Sequence, residues 1–317
     1  MTGAPIAVSR WYDDRRDGGA RTVIITTNPG SNLNPVALAE YQIELTPQQI
    51  VVDGEHHDTR ERIALATVDE WTATAKEYPY VLGTSAGQFA GFFNAFSKRD
   101  KEILSIQTSR KLIPSYDAAC SAARTLGKKD PSLHIEVIDS QMTDSGAGMA
   151  TILACEAAKA GLSIMEVADV VQRFCQGAEA VVIPETLDNL VKGGRASFLK
   201  AFFADLLGLR PVITMKEGEL TPAGKMRKKD DRVAEMVTRM AKLIDDKRPI
   251  WIGLSNGGAA ADAGALTHAM RERFNVRGVY ATEMSPAIYL HMGPGGLGIF
   301  AAPIDDLGWD PPQLNLS

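Results

Sequence analysis

Five places along the chain carry residue types that can do chemistry. The first is Gly83-Thr84-Ser85-Ala86-Gly87, between the strand-like YVL and a helix-like run. Free N–H groups at a helix start favour an anion, and two hydroxyls can add donors. The same residues can equally serve only to cap the helix. The second is Asp139-Ser140, followed by Asp144-Ser145-Gly146-Ala147-Gly148. Asp139 can orient a neighbouring group or hold a loop, and a cap-and-turn cluster is the simpler reading. The third is a literal G-x-G-x-x-G at Gly293, Gly295 and Gly298. A dinucleotide fingerprint opens a helix inside a βαβ unit. Here the strand-like IFAAPI follows, so a nucleotide site is rejected. Glycines this dense let a backbone approach something closely, next to His291. The fourth place is His291 itself, beside that glycine-proline turn.

The fifth is LVKGGR, residues 190–195. Leu187, Leu190 and Val191 share one helical face. Gly193 fits the left-handed position that closes a helix. Gly194 then lets the chain turn without a side chain in the way. Arg195 follows as a displayed cation or a solvated loop residue. The histidines are His56, His57, His134, His268 and His291, and none has metal-ligand spacing with another His or Cys. No G-x-S-x-G elbow supports an α/β-hydrolase.

Bulk properties narrow the partners. The chain has 317 residues, 45% hydrophobic and 23% charged, with a net charge of −5. That length suggests about two domains. No basic field exists to hold nucleic acid or an anionic membrane. Cys120, Cys155 and Cys175 lack C-x-x-C spacing and sit among small or apolar residues, as core fillers in a reducing compartment do. The first residues lack the apolar segment of a signal peptide, and no run approaches a membrane span. A cytoplasmic protein with a small-molecule or protein partner is expected.

These residues must be positioned by an α/β framework. Residues 1–20 are polar and aperiodic and read as a loose extension. RTVIITTNPG, IVVDG, YPYVL, KEILSIQTS and HIEVIDS read as strands. PVALAEYQIE, the run after GTSAG, SYDAACSAARTL and SGAGMATILACEAAKAG read as helices between them. Such alternation implies a parallel sheet covered on both faces. From about residue 178 the texture changes. AVVIPETLDNLVKGG reads as strand then helix, SFLKAFFADLLGL as a helix, RPVITMKEGELTPAG as a hairpin and RVAEMVTRMAKLIDD as a long helix. PIWIGLSNG, NVRGVYATEM and YLHMGPGGLGIFAAPI read as strand-rich. The expected domains are 21–177 and 178–317.

Taken together, these segments resemble the DegV family of bacterial fatty-acid-binding proteins. ETLDNLVKGGRAS is similar to its strand-helix-GGR signature. LLGLRPVITMKEGELTPAGKMR and HMGPGGLGIF are similar to its later blocks, the second to an H-x-G-P-G motif. Thr84-Ser85, the VIDS segment at 137–148 and Ser115-Tyr116 carry the resemblance in the first half. The resemblance covers about residues 22–303. It implies a Rossmann-like parallel-sheet α/β domain followed by a mixed-sheet α/β domain. It implies a carrier rather than an enzyme, without cofactor or metal. It further implies one long-chain fatty acid in an apolar tunnel; the helix around Phe198, Phe202 and Phe203 has an apolar face that fits either a tunnel wall or an ordinary core. A separate fatty-acid kinase phosphorylates the fatty acid's carboxylate to an acyl-phosphate, as a step towards phospholipid synthesis. Thr84 would hydrogen-bond the carboxylate, with Ser85, Ser115 and His291 at the head group. Arg195 and Arg227 would serve kinase docking or the incoming phosphate, and Gly193, Gly194, Gly293 and Gly295 the backbone around them.

Departures from the family pattern cluster in the first half. TTNPGSN stands where the family has an acidic turn. Leu112-Ile113-Pro114-Ser115 stands where it has Leu-Ser-Gly-Thr, so Ile113 replaces a serine expected at the carboxylate. Ser115, Ser109 or Ser85 compensates, or the ligand differs. Two rival readings follow: a different small ligand in the same fold, or a small-molecule hydrolase or kinase-like enzyme using His291 and a serine.

Overall fold

The computed structural model describes residues 23–61, 63–194 and 208–316. The extension expected over 1–20, Arg195 and the helix expected around Phe198, Phe202 and Phe203 lie outside the described residues.

The chain enters on β1 (Ile24–Thr27), makes a 3-10 turn over Pro29–Ser31 and forms α1 (Pro35–Tyr41). β2 (Glu44–Leu45), β3 (Gln49–Val52), β4 (Glu55–Asp58), α2 (Leu65–Thr74), β5 (Tyr80–Leu82) and α3 (Ala86–Phe96) follow. Next come β6 (Glu102–Gln107), α4 (Ser115–Lys129), β7 (His134–Asp139), α5 (Asp144–Lys159) and α6 (Ile164–Gln176). β8 (Glu179–Ile183), α7 (Asp188–Lys192), β9 (Leu209–Lys216), β10 (Glu219–Arg227) and α8 (Arg232–Leu243) lead into the last segment. It contains β11 (Ile250–Asn256), α9 (Ala260–Arg273), β12 (Val276–Glu283), α10 (Pro286–Met292), β13 (Leu297–Pro303) and β14 (Leu314–Leu316).

Three sheets result. The first has the order β2-β1-β6-β7 and is parallel throughout. The second is mixed, in the order β10-β9-β8-β13-β11-β12-β14. Its β11-β12-β14 edge is parallel and its remaining pairs are antiparallel. The third is a small antiparallel sheet, β4-β3-β5. The expected α/β class with a parallel and a mixed sheet is therefore present. One placement differs. IVVDG and YVL were expected in the parallel sheet, and both pair in the small one. The predicted hairpin forms β9 and β10. Glu217 and Gly218 at its tip have φ of 48° and 82°, the two positive values that a tight right-twisted hairpin turn requires.

The helices are started by local chemistry. Ser85 and Gln88 form a reciprocal capping box on α3, and Ser163 and Glu166 do the same on α6. Asp231 caps α8 by accepting from the Ala234 N–H at 3.1 Å. Four helical segments depart from expectation. Tyr289–Met292, read as part of a strand-rich stretch, ends the helix α10. α2, α6 and α9 were not marked at all.

The centre of the molecule is α5. Thirteen of its sixteen residues are buried, so it is a helix with no solvated face. It packs between the parallel and the mixed sheet and joins their apolar clusters into one core. Small residues make this possible. A Cβ at Gly146 would lie 2.4 Å from the Phe300 ring, and one at Gly148 would lie 2.6 Å from the Ser31 carbonyl oxygen. The second conflict is with backbone, which cannot rotate away.

A single methyl group tests this packing. Gly148→Ala should destabilise the protein by about 1–3 kcal/mol through overpacking. Gly264→Ala, on α9 with nothing within 4 Å of the new methyl, should instead stabilise it by about 0.5–1 kcal/mol. Urea unfolding of both variants against the wild type measures the difference. Equal effects would mean that α5 does not lie against β12 and the 3-10 turn as described.

Candidate functional site

The space between the two large sheets is not filled along its whole length. Where α5 begins, a partly open, mainly apolar cavity remains. Gly30, Gln48, Thr108, Ile113, Thr143 and Asp144 line it from the first half of the chain. Val182, Leu190, Met215, His291, Met292 and Phe300 line it from the second. Most of the wall is aliphatic or aromatic. Among the described lining residues, His291 alone can carry a positive charge and Asp144 alone a negative one.

Asp144 is the first residue of α5, held at φ 55°. It is buried, and both carboxyl oxygens accept hydrogen bonds. Asn32 Nδ2 donates to Oδ1 at 2.6 Å, and the Ser255 hydroxyl donates to Oδ2. Burial pushes the carboxyl above its ordinary range, against the pull of these bonds. Asn32 then carries the network onward. Its Oδ1 accepts from the Ser285 N–H at 2.6 Å, and its carbonyl accepts from the Tyr280 hydroxyl at 2.8 Å. Asn32 sits at φ 52°, a conformation asparagine tolerates well. One side chain from the β1 turn thus ties α5 to the start of α10.

His291 reaches the cavity from α10. That helix is fixed by the Tyr78 hydroxyl, which donates to the Leu290 carbonyl at 2.7 Å, and by the Tyr289 hydroxyl, which donates to Asp69 at 3.0 Å. The ring lies against α7: a Cβ at Gly193 would be 2.3 Å from Nδ1 of His291. This corrects the roles expected of the two glycines. Gly193 has φ −73° and is not left-handed. It is a glycine because the imidazole occupies the place of a side chain. Gly194, at φ 72°, takes the left-handed turn. Arg195 lies outside the described residues.

The glycine turn after His291 is also packed by protein groups. Gly293 and Gly295 have φ of 70° and 76°. A Cβ at Gly293 would be 3.0 Å from the Asn189 side chain, and one at Gly295 would be 2.7 Å from Glu185 Cγ. Arg232 holds this arrangement. It donates to Gly295 O at 2.5 Å and to Glu185 at 3.2 Å, and also pairs with Asp262. Arg210 bridges Glu185 at 2.9 Å and the Lys228 carbonyl at 2.9 Å, next to Arg227. The side chain of Arg227, at the end of β10, is exposed. Gly298 lies inside β13, so these glycines open a strand and not a helix.

The expected hydroxyls divide. Thr84 is buried outside the cavity lining, and its proton goes to the Pro47 carbonyl. It cannot give the same proton to a carboxylate. Ser85 is used by the capping box. Ser109 donates to Gly218 O at 2.7 Å, which docks the hairpin tip on the loop after β6. Ser115, also outside the cavity lining, is different: it is fully buried and its Oγ has no partner among the described residues. A Cβ at Gly83 would touch both Ser115 Oγ and Ile113 at 3.0 Å, so the three form one small cluster. Of the three serines expected to compensate for Ile113, Ser115 alone keeps an uncommitted hydroxyl. Asp139 holds its loop, accepting from the Gln141 N–H at 3.0 Å. Gln48 and Thr108 escaped the sequence reading. Thr108 follows β6 directly, at the edge where open α/β sheets bind ligands, and that position was its signal. Gln48 had none.

Among the described residues, no group of three or more His, Cys, Asp or Glu side chains could hold a metal ion. No described helix is long and apolar enough to cross a membrane.

The buried carboxyl generates a pH prediction. Asp144 holds its proton more tightly folded than unfolded, so its cost to stability is absent at low pH and grows as pH rises above about 4. Asp144→Asn keeps an acceptor for Asn32 and cannot ionise. The melting-temperature gap in favour of Asp144→Asn should therefore widen as pH rises from about 4 and level off once the folded-state carboxyl has ionised. A gap that narrows would show that the ionised carboxylate is the stabilised form.

The comparisons with known proteins agree with this architecture. The sequence model of the uncharacterised DegV family matches residues 22–303. A DegV domain-containing protein of Streptococcus pyogenes is 28% identical over 282 residues, covering 88% of this chain and 97% of its own. One from Mycobacterium tuberculosis is 27% identical over 294 residues, covering 92% and 99%. Among solved structures, a DegV family protein of Thermus thermophilus described as binding fatty acid superposes with a TM-score of 0.81 at 23% identity, covering 89% of this chain and 99% of that one. The fatty-acid-binding protein DegV of Bacillus subtilis superposes with a TM-score of 0.74 at 20% identity, covering 90% and 100%. With the match running through both large sheets and through the GGR and H-x-G-P-G segments, the chain belongs to the DegV family.

Proposed function

We propose that this protein is a fatty-acid carrier that buries one long acyl chain between its two large sheets. The observation that carries the reading is the mainly aliphatic cavity with a single imidazole on its wall. A carboxylate taken out of water requires donors or a cation, and His291 is the one side chain in the described lining that can carry a positive charge. The Ser115 hydroxyl, beside Ile113, supplies a further donor. Thr84, committed to Pro47, is not part of this head-group site. The tail supplies the driving force: about 14 methylenes at about 0.8 kcal/mol each give roughly 11 kcal/mol before binding costs. Relatives described as binding vaccenic acid and stearic acid share the fold.

The finer reading is that the carrier presents the carboxylate to a separate fatty-acid kinase, which forms an acyl-phosphate. The chain's own part is to hold and orient the carboxylate. The exposed Arg227, and Arg195, have the planar fork that suits phosphate. The ion-pair chain from Arg210 through Glu185 to Arg232 links the end of β10 to the glycine turn after His291. A docking event at Arg227 is thereby mechanically close to the head group. A cytoplasmic location and a two-domain division near residue 178 belong to the same reading.

Native mass spectrometry of the purified protein, with extraction of its ligand, tests the carrier. One fatty acid per chain is expected. A protein that is empty and takes up no added fatty acid sinks the reading. Addition of a fatty-acid kinase and ATP to the loaded protein should yield acyl-phosphate, and hydrolysis of activated esters without the kinase should stay flat.

Variants refine the head group. His291→Ala and Gly193→Ala should each weaken fatty-acid binding about tenfold or more, the second by displacing the ring it never touches chemically. Ser115→Ala should weaken it by less. Titration calorimetry compares them. Unchanged binding in Gly193→Ala would mean that the ring position is irrelevant to the ligand.

A further inference from the structure

An unsubstituted acyl chain asks nothing polar of its tunnel. This cavity nevertheless has a polar stretch. Gln48, Thr108, Thr143 and Asp144 all line it, and all come from the C-terminal edge of the parallel sheet or from the start of α5. Gln48 is 2% exposed, and its side-chain oxygen has no hydrogen-bond partner among the described residues. Thr108 is also 2% exposed. Its Oγ1 accepts from Asn28 Nδ2 at 2.9 Å, and the Thr108 N–H donates to Asn28 Oδ1 at 3.3 Å. Asn28 thus holds Thr108 from both sides and leaves the hydroxyl proton with no protein acceptor among the described residues. The wall therefore offers one unused acceptor, Gln48 Oε1, and one unused donor, the Thr108 hydroxyl.

A buried polar atom without a partner is destabilising. A hydrocarbon tail laid against Gln48 and Thr108 would seal both in that state. A hydroxyl on the ligand relieves both at once, because it donates to Gln48 and accepts from Thr108. The ligand's own carboxylate is a poor occupant of this stretch. It can only accept, so it leaves Gln48 Oε1 unanswered, and it would face the buried carboxyl of Asp144. The carboxylate belongs with His291, and the second oxygen belongs along the chain.

We infer that the preferred ligand is an oxygenated fatty acid, one carrying a hydroxyl on its acyl chain, with Gln48 and Thr108 as the residues that select it. This rests on the fatty-acid reading above and names the substrate class for that same site. Sites built to hydrogen-bond a hydroxyl reject analogues that lack it far more strongly than apolar pockets reject an added one. The selection is therefore directional: the unsubstituted chain is penalised.

The test is competition binding of stearic acid against a set of monohydroxystearic acids with the hydroxyl near the middle of the chain. At least one hydroxy acid should bind about tenfold or more tightly than stearic acid. Gln48→Leu should abolish that preference while strengthening stearic acid binding. A misfolded variant cannot produce such a gain. Thr108→Val should reduce the preference independently. Equal binding of all the acids, unchanged by Gln48→Leu, overturns the inference and leaves the carrier reading standing. Failure of every acid to bind takes down the carrier reading itself, and this inference with it.

Discussion

Everything in this molecule is spaced by how closely α5 can approach the layers on either side of it. A helix between two sheets needs room for side chains on both faces. Here Gly146 gives its place to the Phe300 ring, and Gly148 gives its place to the carbonyl of Ser31 and the edge of Tyr280. Gly253 on β11 does the same from the other side, where a Cβ would meet the Ser145 carbonyl at 2.8 Å. The first turn of α5 is therefore clamped to within a backbone's width of both neighbours. Packing of this density tolerates no insertion of even one methyl group without strain.

The cavity is the other side of the same constraint. It lies where the helix starts and the two sheets are no longer separated by it. The residues at that point are polar because a helix N-terminus is polar, and they are buried because both sheets continue past them. Asp144 resolves the conflict by engaging Asn32 and Ser255, and Asn32 passes the constraint on to Ser285 and Tyr280. A buried network of this kind is rigid when every member is satisfied and costly when one is removed. The hairpin tip adds a second attachment on another side, through Ser109 to Gly218 and Lys111 to Glu219. The cavity wall is thus built from elements held at several independent points, which suits a site that must keep its shape around a flexible ligand.

Much of the framework was legible in the sequence because it is written in local periodicity. Buried runs such as EILSIQ and IWIGLSN read as strands, and the β9–β10 hairpin announced itself through Glu217-Gly218. α6 was legible but unread: Ser163 and Glu166 have capping-box spacing ahead of a clear apolar stripe. α10 was harder. It has seven residues, and Ile288, Tyr289 and Leu290 look equally at home in a strand. The site was less legible for a different reason. Gly193 and Gly194 exchange their expected roles because the imidazole that fills the space beside Gly193 comes from a distant segment. Thr84 looked like a ligand residue, and only the fold shows that Pro47 takes its proton. Gln48 carries no pattern at all, since its importance lies in an acceptor that nothing in the protein answers.

The Asn32 junction has a consequence for how the chain reaches this state. Asn34 and Tyr280, and Asn32 and Ser285, are 246 and 253 positions apart. The turn after the first strand cannot complete its hydrogen bonds until Tyr280 and Ser285 are available. Contacts of such separation must meet the entropy of closing a very long loop before they return anything, and topologies that rely on them fold slowly. During synthesis the β1 turn, with its buried asparagines, waits in water while the rest of the chain is made. Assembly of the pocket is then a late event that ties the two ends of the polypeptide together. The wall of the cavity doubles as the closing stitch of the fold.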